Sequence, residues 1–264
     1  MTDPAPTSPA PRRGTLAAWA QLLRLPNLFT VPGDPLAGFA LAGGLGSWAD
    51  LLAVLPCAAA AVLIYAAGLV LNDLCDRQAD ARDRPSRPLP AGEIRPASAA
   101  AASAILAAGG IALAAMVSLP AAAVAAALAL AVVVYDAATK RIRVVGPVTM
   151  GLCRGLSLLL GAAAAGAGRA TATPVAVAVV LLTVYVALVT YLASFEAGPA
   201  HRAGPLRHLR PEAVQKAVGL MIRLLVVYQA AVVALAGPVG CVVGACLLAG
   251  GIVSALLAKR FYAS

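Results

Sequence analysis

Charged side chains are scarce in this sequence. Only 12% of its 264 residues are charged and 11 are acidic, whereas 61% are hydrophobic, and the mean hydropathy is +0.89. Soluble domains carry about 25% charged residues. Apolar runs of about 20 residues recur along the whole chain and leave no room for a separate aqueous core. The composition therefore excludes a soluble protein and predicts one domain embedded in a lipid bilayer.

Histidines and paired cysteines are also lacking. The two histidines have no metal-ligand companions, and the five cysteines show neither CxxC spacing nor the framework of a secreted domain. Zinc sites and disulfides are therefore not expected. The net charge of +9 does not indicate nucleic acid as a partner, because the basic residues form short clusters without interleaved aromatic residues. Membrane topology explains these clusters better.

The apolar stretches predict an all-α, polytopic transmembrane bundle of about eight to nine helices. Residues 1–15 are rich in proline and polar residues and are expected to form a disordered cytoplasmic tail, before a transmembrane domain over residues 16–264. Pro32, Asp34 and Pro35 predict that the first span is kinked or partly re-entrant. The stretches of spanning length are residues 28–46, 51–75, 97–118, 120–136, 145–166, 174–195, 213–236 and 238–258.

The basic residues predict the orientation of these helices. If the N-terminus lies inside, nearly all arginines and lysines between the spans fall in inside segments, and the outside loops hold only Arg169. Such asymmetry over short loops is what the positive-inside rule predicts. We therefore expect a multi-pass protein of the cell inner membrane with both termini in the cytoplasm.

The most informative segment is Asn72-Asp73-Leu74-Cys75-Asp76-Arg77-Gln78-Ala79-Asp80. If the second helix continues through it, Asn72, Asp73, Asp76 and Asp80 occupy a sector of roughly 100° on one face. Carboxylates placed so closely repel one another unless cations bridge them. Hard oxygen ligands favour Mg²⁺, which usually completes its shell with waters and substrate phosphates. The segment therefore predicts a Mg²⁺ site that holds a diphosphate.

A run of arginines and prolines follows, Arg84-Pro85-Ser86-Arg87-Pro88-Leu89-Pro90-Ala91-Gly92. Guanidinium groups match phosphate oxygens, and proline lowers the entropy lost when they are held in place. Arg84 and Arg87 are therefore expected near the diphosphate. The alternative is a solvated, positive-inside loop whose acidic residues merely balance its arginines.

These residues resemble the UbiA superfamily of intramembrane prenyltransferases. The aspartate segment is similar to the family's NDxxDxxxD motif, and the next run to its RPxRPLPxG loop. Arg24-Leu25-Pro26-Asn27 is similar to an Arg-Pro-x-Asn segment before the first span, and the stretch from Tyr135 to Lys140 to a Tyr-x-x-x-x-Lys loop. The resemblance implies a helical bundle with a central cavity open to lipid, and prenyl transfer to an acceptor.

The resemblance also implies roles for individual residues. Asn72, Asp73, Asp76 and Asp80 would hold Mg²⁺, with Asp73 and Asp76 acting in catalysis together with Lys140, which reaches the diphosphate from the next inner loop. The expected substrate-binding residues are Arg24, Asn27, Arg84, Arg87, Tyr135, Arg154, Glu196 and Arg202. For Lys140 a topological charge is the alternative, and for Tyr135 an interfacial anchor.

Arg154 lies inside the predicted fifth span, where an unpaired charge costs about 3 kcal/mol on insertion scales. We therefore expect Arg154 to face the cavity. A buried structural pair with Asp136 or Asp34 is the alternative.

The sequence departs from the family pattern in the inner loop after the sixth span. A second aspartate motif of DxxxD type is expected there, but Ser194 and Gly198 occupy the expected carboxylate positions. Glu196 remains as a hard ligand, and Arg202 or His201 stands nearby to assist ionisation. Fewer carboxylates predict weaker binding of a second metal. With its short C-terminal part, the chain is similar to a divergent, EboC-like branch associated with metabolite handling.

Two functions from different classes follow. The first is Mg²⁺-dependent transfer of a prenyl group from a prenyl diphosphate to a lipophilic or aromatic acceptor in the membrane. The second is a non-catalytic carrier or transporter of an isoprenoid-linked metabolite, favoured by the incomplete second motif. The sequence leaves the acceptor and the prenyl chain length open.

Overall fold

A computed structural model describes residues 15–195 and 210–261 of the chain, with side chains omitted for 26–27 and 258–261. These residues are helical and loop-connected, as the all-α prediction requires. In chain order the helices are α1 (Thr15–Leu22), α2 (Leu25–Leu28), α3 (Gly33–Leu41), α4 (Trp48–Cys75), α5 (Arg77–Asp83), α6 (Pro96–Val117), α7 (Leu119–Val134), a π-helix (Tyr135–Thr139), α8 (Val145–Ala164), α9 (Ala167–Ala170), α10 (Thr173–Ala193), α11 (Pro211–Ala234) and α12 (Pro238–Phe261).

Seven helices in the described part of the chain are long and apolar enough to cross a membrane. They are α4, α6, α7 with the π-helix, α8, α10, α11 and α12. Large apolar side chains cover their outer faces, among them Ile105, Leu130, Leu181 and Ile252. The chain is therefore an integral membrane protein.

The stretch over residues 28–46 differs from its prediction as a full span. It contains the end of α2, a turn, and the nine residues of α3, Gly33–Leu41. Nine helical residues rise only about 14 Å, roughly half of the ~30 Å hydrocarbon core. Pro32 and Pro35 lack the N–H that a continuous helix needs. The predicted kink is thus present, and the number of spanning helices in the described residues is seven.

The helix starts follow local chemistry. Ser47 caps α4 through a capping box, in which its Oγ accepts from the Asp50 N–H and the Asp50 carboxylate accepts from the Ser47 N–H. Proline occupies the first turn of α6, α7, α10 and α11. Backbone N–H groups in the first turn have no acceptor within the helix, so proline costs no intrahelical hydrogen bond there.

The bundle centres on α4 and α8. In the most apolar 18-residue stretch of each of these two helices, 61% of the residues are buried. The corresponding share for α6 is 11%, so most of α6 faces lipid. Glycine lets α3 and α8 meet closely: a Cβ on Gly38 would overlap the Leu158 carbonyl oxygen, and one on Gly161 the Pro35 carbonyl oxygen. In lipid, such contacts between small residues hold helices together. Asp34 and Arg154 are thereby fixed beside each other.

Candidate functional site

A cavity of about 230 Å³ lies between α4, α7 and α8. Its wall is mainly apolar, with Val31, Ala61, Ile64, Leu69, Leu128, Val132 and Met150 among its lining residues. The polar side chains that line it include Arg24, Asn72, Tyr135, Asp136, Arg154 and Ser157. The predicted central cavity is therefore present, and the polar groups concentrate where α4 and the π-helix end.

The aspartate segment lies across a break between two helices. α4 ends at Cys75, and α5 begins at Arg77. The Asp76 N–H donates to the Asn72 carbonyl at 3.0 Å, and the Asp80 N–H donates to the Asp76 carbonyl at 2.8 Å. Helical spacing thus continues on both sides of Asp76, although the expected single uninterrupted helix is not formed. We call this segment, Asn72 to Asp80, the cap.

Arginines bind the two buried carboxylates of the cap. Arg24 Nη2 lies 2.6 Å from Asp73 Oδ1. Arg87 Nη1 lies 2.7 Å from Asp80 Oδ2 and 3.5 Å from Asp73 Oδ1, so it bridges the two aspartates. Arg24 is the only described non-glycine residue with a positive φ, 45°. Left-handed backbone costs such a residue about 1–2 kcal/mol, which the contact with Asp73 helps to offset.

Lys140 and Arg141 bind the third carboxylate. Lys140 Nζ lies 2.8 Å from Asp76 Oδ2 and donates to Asn72 Oδ1 at 3.1 Å. Arg141 Nη2 lies 3.2 Å from Asp76 Oδ1. Partial burial acts to raise the pKa of Asp76, but these two cations outweigh it and hold the pKa below its ordinary value. Asp76 is therefore an anion at neutral pH.

The cations that bind the cap outnumber the carboxylates that they pair with. Arg24, Arg87, Lys140 and Arg141 pair with three carboxylates. The described residues contain no group of three or more His, Cys, Asp and Glu side chains close enough to hold a metal ion. The donors are nevertheless the carboxylate and amide oxygens that Mg²⁺ prefers, and the cations beside them suit phosphate oxygens. The donor set therefore fits a Mg²⁺-diphosphate better than a bare metal ion.

The structure shows no side-chain contact between Arg84 and the cap, and it does not describe the side chains of three other predicted site residues. Arg84 is exposed and makes no ion pair with a described carboxylate. The side chain of Asn27 is among those that the structure does not describe, and Glu196 and Arg202 lie outside the described residues. The backbone N–H of Arg84 donates to the Asp80 carbonyl at 2.8 Å, so Arg84 adjoins the cap through its backbone while its side chain is exposed.

Arg154 both lines the cavity and forms a buried ion pair. Its Nε lies 2.8 Å from Asp34 Oδ2, and Asp34 is fully buried. The amide of Gln229 donates to the other oxygen of Asp34 at 2.5 Å. Of the two expectations for Arg154, the cavity position and the pair with Asp34 are both realised. Asp136 is not its partner.

A second cavity, of about 460 Å³, adjoins the cap beneath the end of α10. Tyr135, Lys140, Arg141 and Ser194 are among the residues that line it. Ser194, which replaces an expected carboxylate, donates instead to the Tyr191 carbonyl at 2.6 Å. The described end of α10 thus shares a cavity with Lys140 and Arg141 and contributes no acidic side chain to it.

Sequence reasoning gave no role to Arg141 and Gln229, and it named Asp34 and Asp136 only as alternative partners of Arg154. Asp136 is buried in the cavity wall, Arg141 binds the cap, and Gln229 completes the pair of Asp34 and Arg154. A polar residue within an apolar span was the available signal for Asp34, Asp136 and Gln229. For Arg141, adjacent to Lys140, nothing distinguished it from a topological charge.

Comparisons with known proteins agree with this architecture. The profile described as UbiA prenyltransferase family matches residues 35–263. A digeranylgeranylglyceryl phosphate synthase of Methanoculleus marisnigri is 31% identical over 150 residues, which are 56% of this chain and 52% of that protein. The chain thus spans about half the length of the curated relatives that it matches.

Solved structures share the fold. One, reported with mechanistic insights into digeranylgeranylglyceryl phosphate synthase in membranes, has a TM-score of 0.58 at 23% identity and covers 93% of this chain and 88% of its own. A UbiA homologue from Archaeoglobus fulgidus bound to GPP and Mg²⁺ has a TM-score of 0.55 at 18% identity, over 92% and 87% of the two chains. At these identities the likeness concerns the fold.

Proposed function

The chain belongs to the UbiA prenyltransferase family, and we propose that it transfers a prenyl group from a prenyl diphosphate to a hydrophobic acceptor within the membrane, with Mg²⁺. One observation carries the proposal: the cap and the four cations that bind it, which outnumber the three carboxylates, adjoin an apolar cavity. Arg24 and Asn72 connect the two parts, because both line the cavity while Asn72 belongs to the cap and Arg24 binds Asp73.

The two parts suit the two ends of a prenyl diphosphate. Arg24, Arg87, Lys140 and Arg141 would bind the diphosphate oxygens and stabilise the charge that develops as the diphosphate departs. Apolar side chains such as Ile64, Leu128 and Val132 would surround the isoprenoid tail and keep water from the allylic cation.

Magnesium has a clear place in this scheme. Asn72, Asp73, Asp76 and Asp80 would hold Mg²⁺, whose charge neutralises the leaving diphosphate. The Archaeoglobus fulgidus homologue bound to GPP and Mg²⁺ supports this assignment. We also propose that the chain resides in the cell inner membrane with both termini in the cytoplasm, so that the cap faces the cytoplasmic pool of prenyl diphosphates.

A direct assay tests the proposal. Purified protein in nanodiscs is given radiolabelled geranyl or dimethylallyl diphosphate, Mg²⁺ and long-chain phenols or alcohols, and pyrophosphate and prenylated product are measured. We expect both products, with loss of both when EDTA is added. Absence of turnover with every donor and acceptor would contradict transfer.

A non-catalytic carrier is the second candidate. It is favoured because Ser194 stands where an acidic side chain is expected, and because the three aspartates of the cap are already paired with cations. A carrier binds the prenyl diphosphate with Mg²⁺ but releases no pyrophosphate. Equilibrium binding measured beside the turnover assay separates the two functions.

A further inference from the structure

Asp136 lies in the cavity wall, and its carboxylate has no partner among the described residues. It belongs to the π-helix, is 4% exposed, and is the only carboxylate among the described residues that line the first cavity. No described residue donates a hydrogen bond to it or forms an ion pair with it. A buried carboxylate is costly without a partner. Such a group is a candidate for contact with a ligand.

The position of Asp136 relative to the cap is well defined. Asp136 precedes Lys140 by four residues, and Lys140 binds Asn72. On the facing helix, Gly68 precedes Asn72 by four residues, and a Cβ on Gly68 would lie 3.8 Å from Asp136 Oδ2. Asp136 is therefore about one helical turn, roughly 5 Å, deeper than the cap. In a prenyl diphosphate C1 is bonded to a diphosphate oxygen, so a diphosphate bound at the cap with its tail in the cavity would direct C1 toward this level.

The charges of the cavity wall restrict the acceptor. Arg24 is paired with Asp73 and Arg154 with Asp34, so the two arginines that line the cavity are already neutralised. An anionic acceptor would find no unpaired described cation there and would be repelled by Asp136. Ser157, 4% exposed, also lines the cavity, and its Oγ has no described partner. The wall therefore offers hydrogen-bonding groups to a neutral, proton-bearing acceptor.

We propose that the carboxylate of Asp136 is the proton acceptor for a neutral hydroxyl acceptor, an alcohol or a phenol, and so is a catalytic residue. The inference rests on the proposed transfer. The bond between prenyl C1 and the diphosphate oxygen breaks, and the diphosphate leaves with the electron pair. The acceptor oxygen forms a bond to C1, and its proton passes to Asp136 Oδ. The Ser157 hydroxyl orients the acceptor oxygen.

The test separates binding from transfer. Wild type, Asp136→Asn and the exposed control Asp83→Asn are assayed in nanodiscs with geranyl diphosphate and Mg²⁺. The acceptors are 4-nonylphenol, dodecanol, dodecyl methyl ether and dodecanoic acid. The dissociation constant of geranyl diphosphate is measured for each variant, as is product formation. In Asp136→Ala, rescue by added formate is measured as well.

We expect wild type and Asp83→Asn to prenylate the phenol or the alcohol and neither of the other two. Asp136→Asn should keep the dissociation constant within about threefold and lose transfer by roughly 100-fold or more, the usual range for a general base. Formate should restore part of the activity of Asp136→Ala.

Three results would overturn the inference while leaving prenyl transfer intact. They are transfer by Asp136→Asn at the wild-type rate, preferred transfer to dodecanoate, and weakened geranyl diphosphate binding in Asp136→Asn, which would make Asp136 part of the cap. If wild type releases no pyrophosphate with any acceptor, the proposed function fails, and the inference with it.

Discussion

Lys140 Nζ lies 2.8 Å from the carboxylate of Asp76, although 64 residues separate them in the chain. The contact joins the C-terminal end of α4 to the end of the π-helix, and both elements also line the apolar cavity. Because Lys140 also donates to Asn72, one side chain ties the charged cap to the wall behind it. The following predictions probe this coupling and the helix packing that supports it.

Replacing Asp73 should abolish tight binding at the cap. Asp73 is buried and binds Arg24 and Arg87, so Asp73→Asn leaves Arg24 without its carboxylate partner and Arg87 with Asp80 alone, and it removes an expected Mg²⁺ ligand. We expect at least a tenfold weaker Mg²⁺-dependent binding of geranyl diphosphate, measured by equilibrium binding in nanodiscs. Exposed Asp83 forms no described ion pair, so Asp83→Asn should bind like wild type. Equal binding by both variants would contradict the cap assignment.

Replacing Lys140 should weaken the binding of geranyl diphosphate at the cap. Lys140→Met removes the charge that faces Asp76 and Asn72 but keeps an unbranched apolar stem. A charge-assisted hydrogen bond is worth about 1.5–3 kcal/mol, so we expect a roughly tenfold rise in the dissociation constant of geranyl diphosphate. Arg82→Met, which removes an exposed charge from α5, serves as the control. If the two variants lose affinity for geranyl diphosphate equally, Lys140 contributes only to the overall positive charge of the region and makes no specific contact.

The contact between α3 and α8 should tolerate no added methyl group. A Cβ on Gly161 would overlap the Pro35 carbonyl, whereas one on Gly219 would meet no atom within 4 Å. Gly161→Ala should therefore lower the free energy of unfolding by about 1–3 kcal/mol, seen as a lower thermal midpoint by tryptophan fluorescence in detergent. Gly219→Ala should leave the midpoint unchanged or raise it. The reverse order would contradict the described packing.

The buried pair of Asp34 and Arg154 should show strong coupling. Asp34 is fully buried, and Arg154 Nε lies 2.8 Å from its carboxylate. Either Asp34→Asn or Arg154→Met leaves an uncompensated buried charge, which should cost about 3–5 kcal/mol. The double variant should be more stable than the less stable single variant, as measured by a double-mutant cycle of thermal or denaturant unfolding. Additive losses would show that the two charges act independently.

The pairing of Asp76 should appear in the pH dependence of stability. Its ordinary pKa is 3.8, and Lys140 and Arg141 hold the pKa in the folded protein lower. The ion pair therefore contributes fully above about pH 4, and its contribution is lost as the pH falls through the lowered folded pKa. The difference in thermal midpoint between wild type and Asp76→Asn should be constant at neutral pH and shrink in acid. A difference that grows in acid would contradict this sign.

The sequence predicted the parts of the site that depend on a local motif. Hydropathy indicated α4 and α8, and the spacing of Asn72, Asp73 and Asp76 indicated the cap. The family resemblance brought Lys140 to the same region. These features need only helical periodicity and residue type, which a single sequence carries.

The remaining features depend on contacts between distant segments. The choice of Asp34 over Asp136 as the partner of Arg154 depends on how α3 is rotated against α8. The close contacts of α3 and α8 at Gly38 and Gly161 determine that rotation. The pairing of Gln229 with Asp34 joins residues 195 positions apart. Contacts between distant segments produce no periodic pattern in a single sequence, so the sequence alone does not predict them. The break of the first stretch into α2 and α3 was foreseen as a kinked or partly re-entrant span at Pro32, Asp34 and Pro35, without the bounds of the two helices.

The π-helix has a consequence for how this chain can change in length. The Lys140 N–H donates to the Tyr135 carbonyl, five residues back, so this turn holds one residue more than an α-helical turn. Deleting one residue within 137–139 would let the turn relax to an α-helix, in which the Lys140 N–H would still bond to the Tyr135 carbonyl. Lys140 would then keep its direction toward Asp76. Deleting one residue from the regular part of α7 would instead rotate everything beyond it by about 100° and separate Lys140 from the cap.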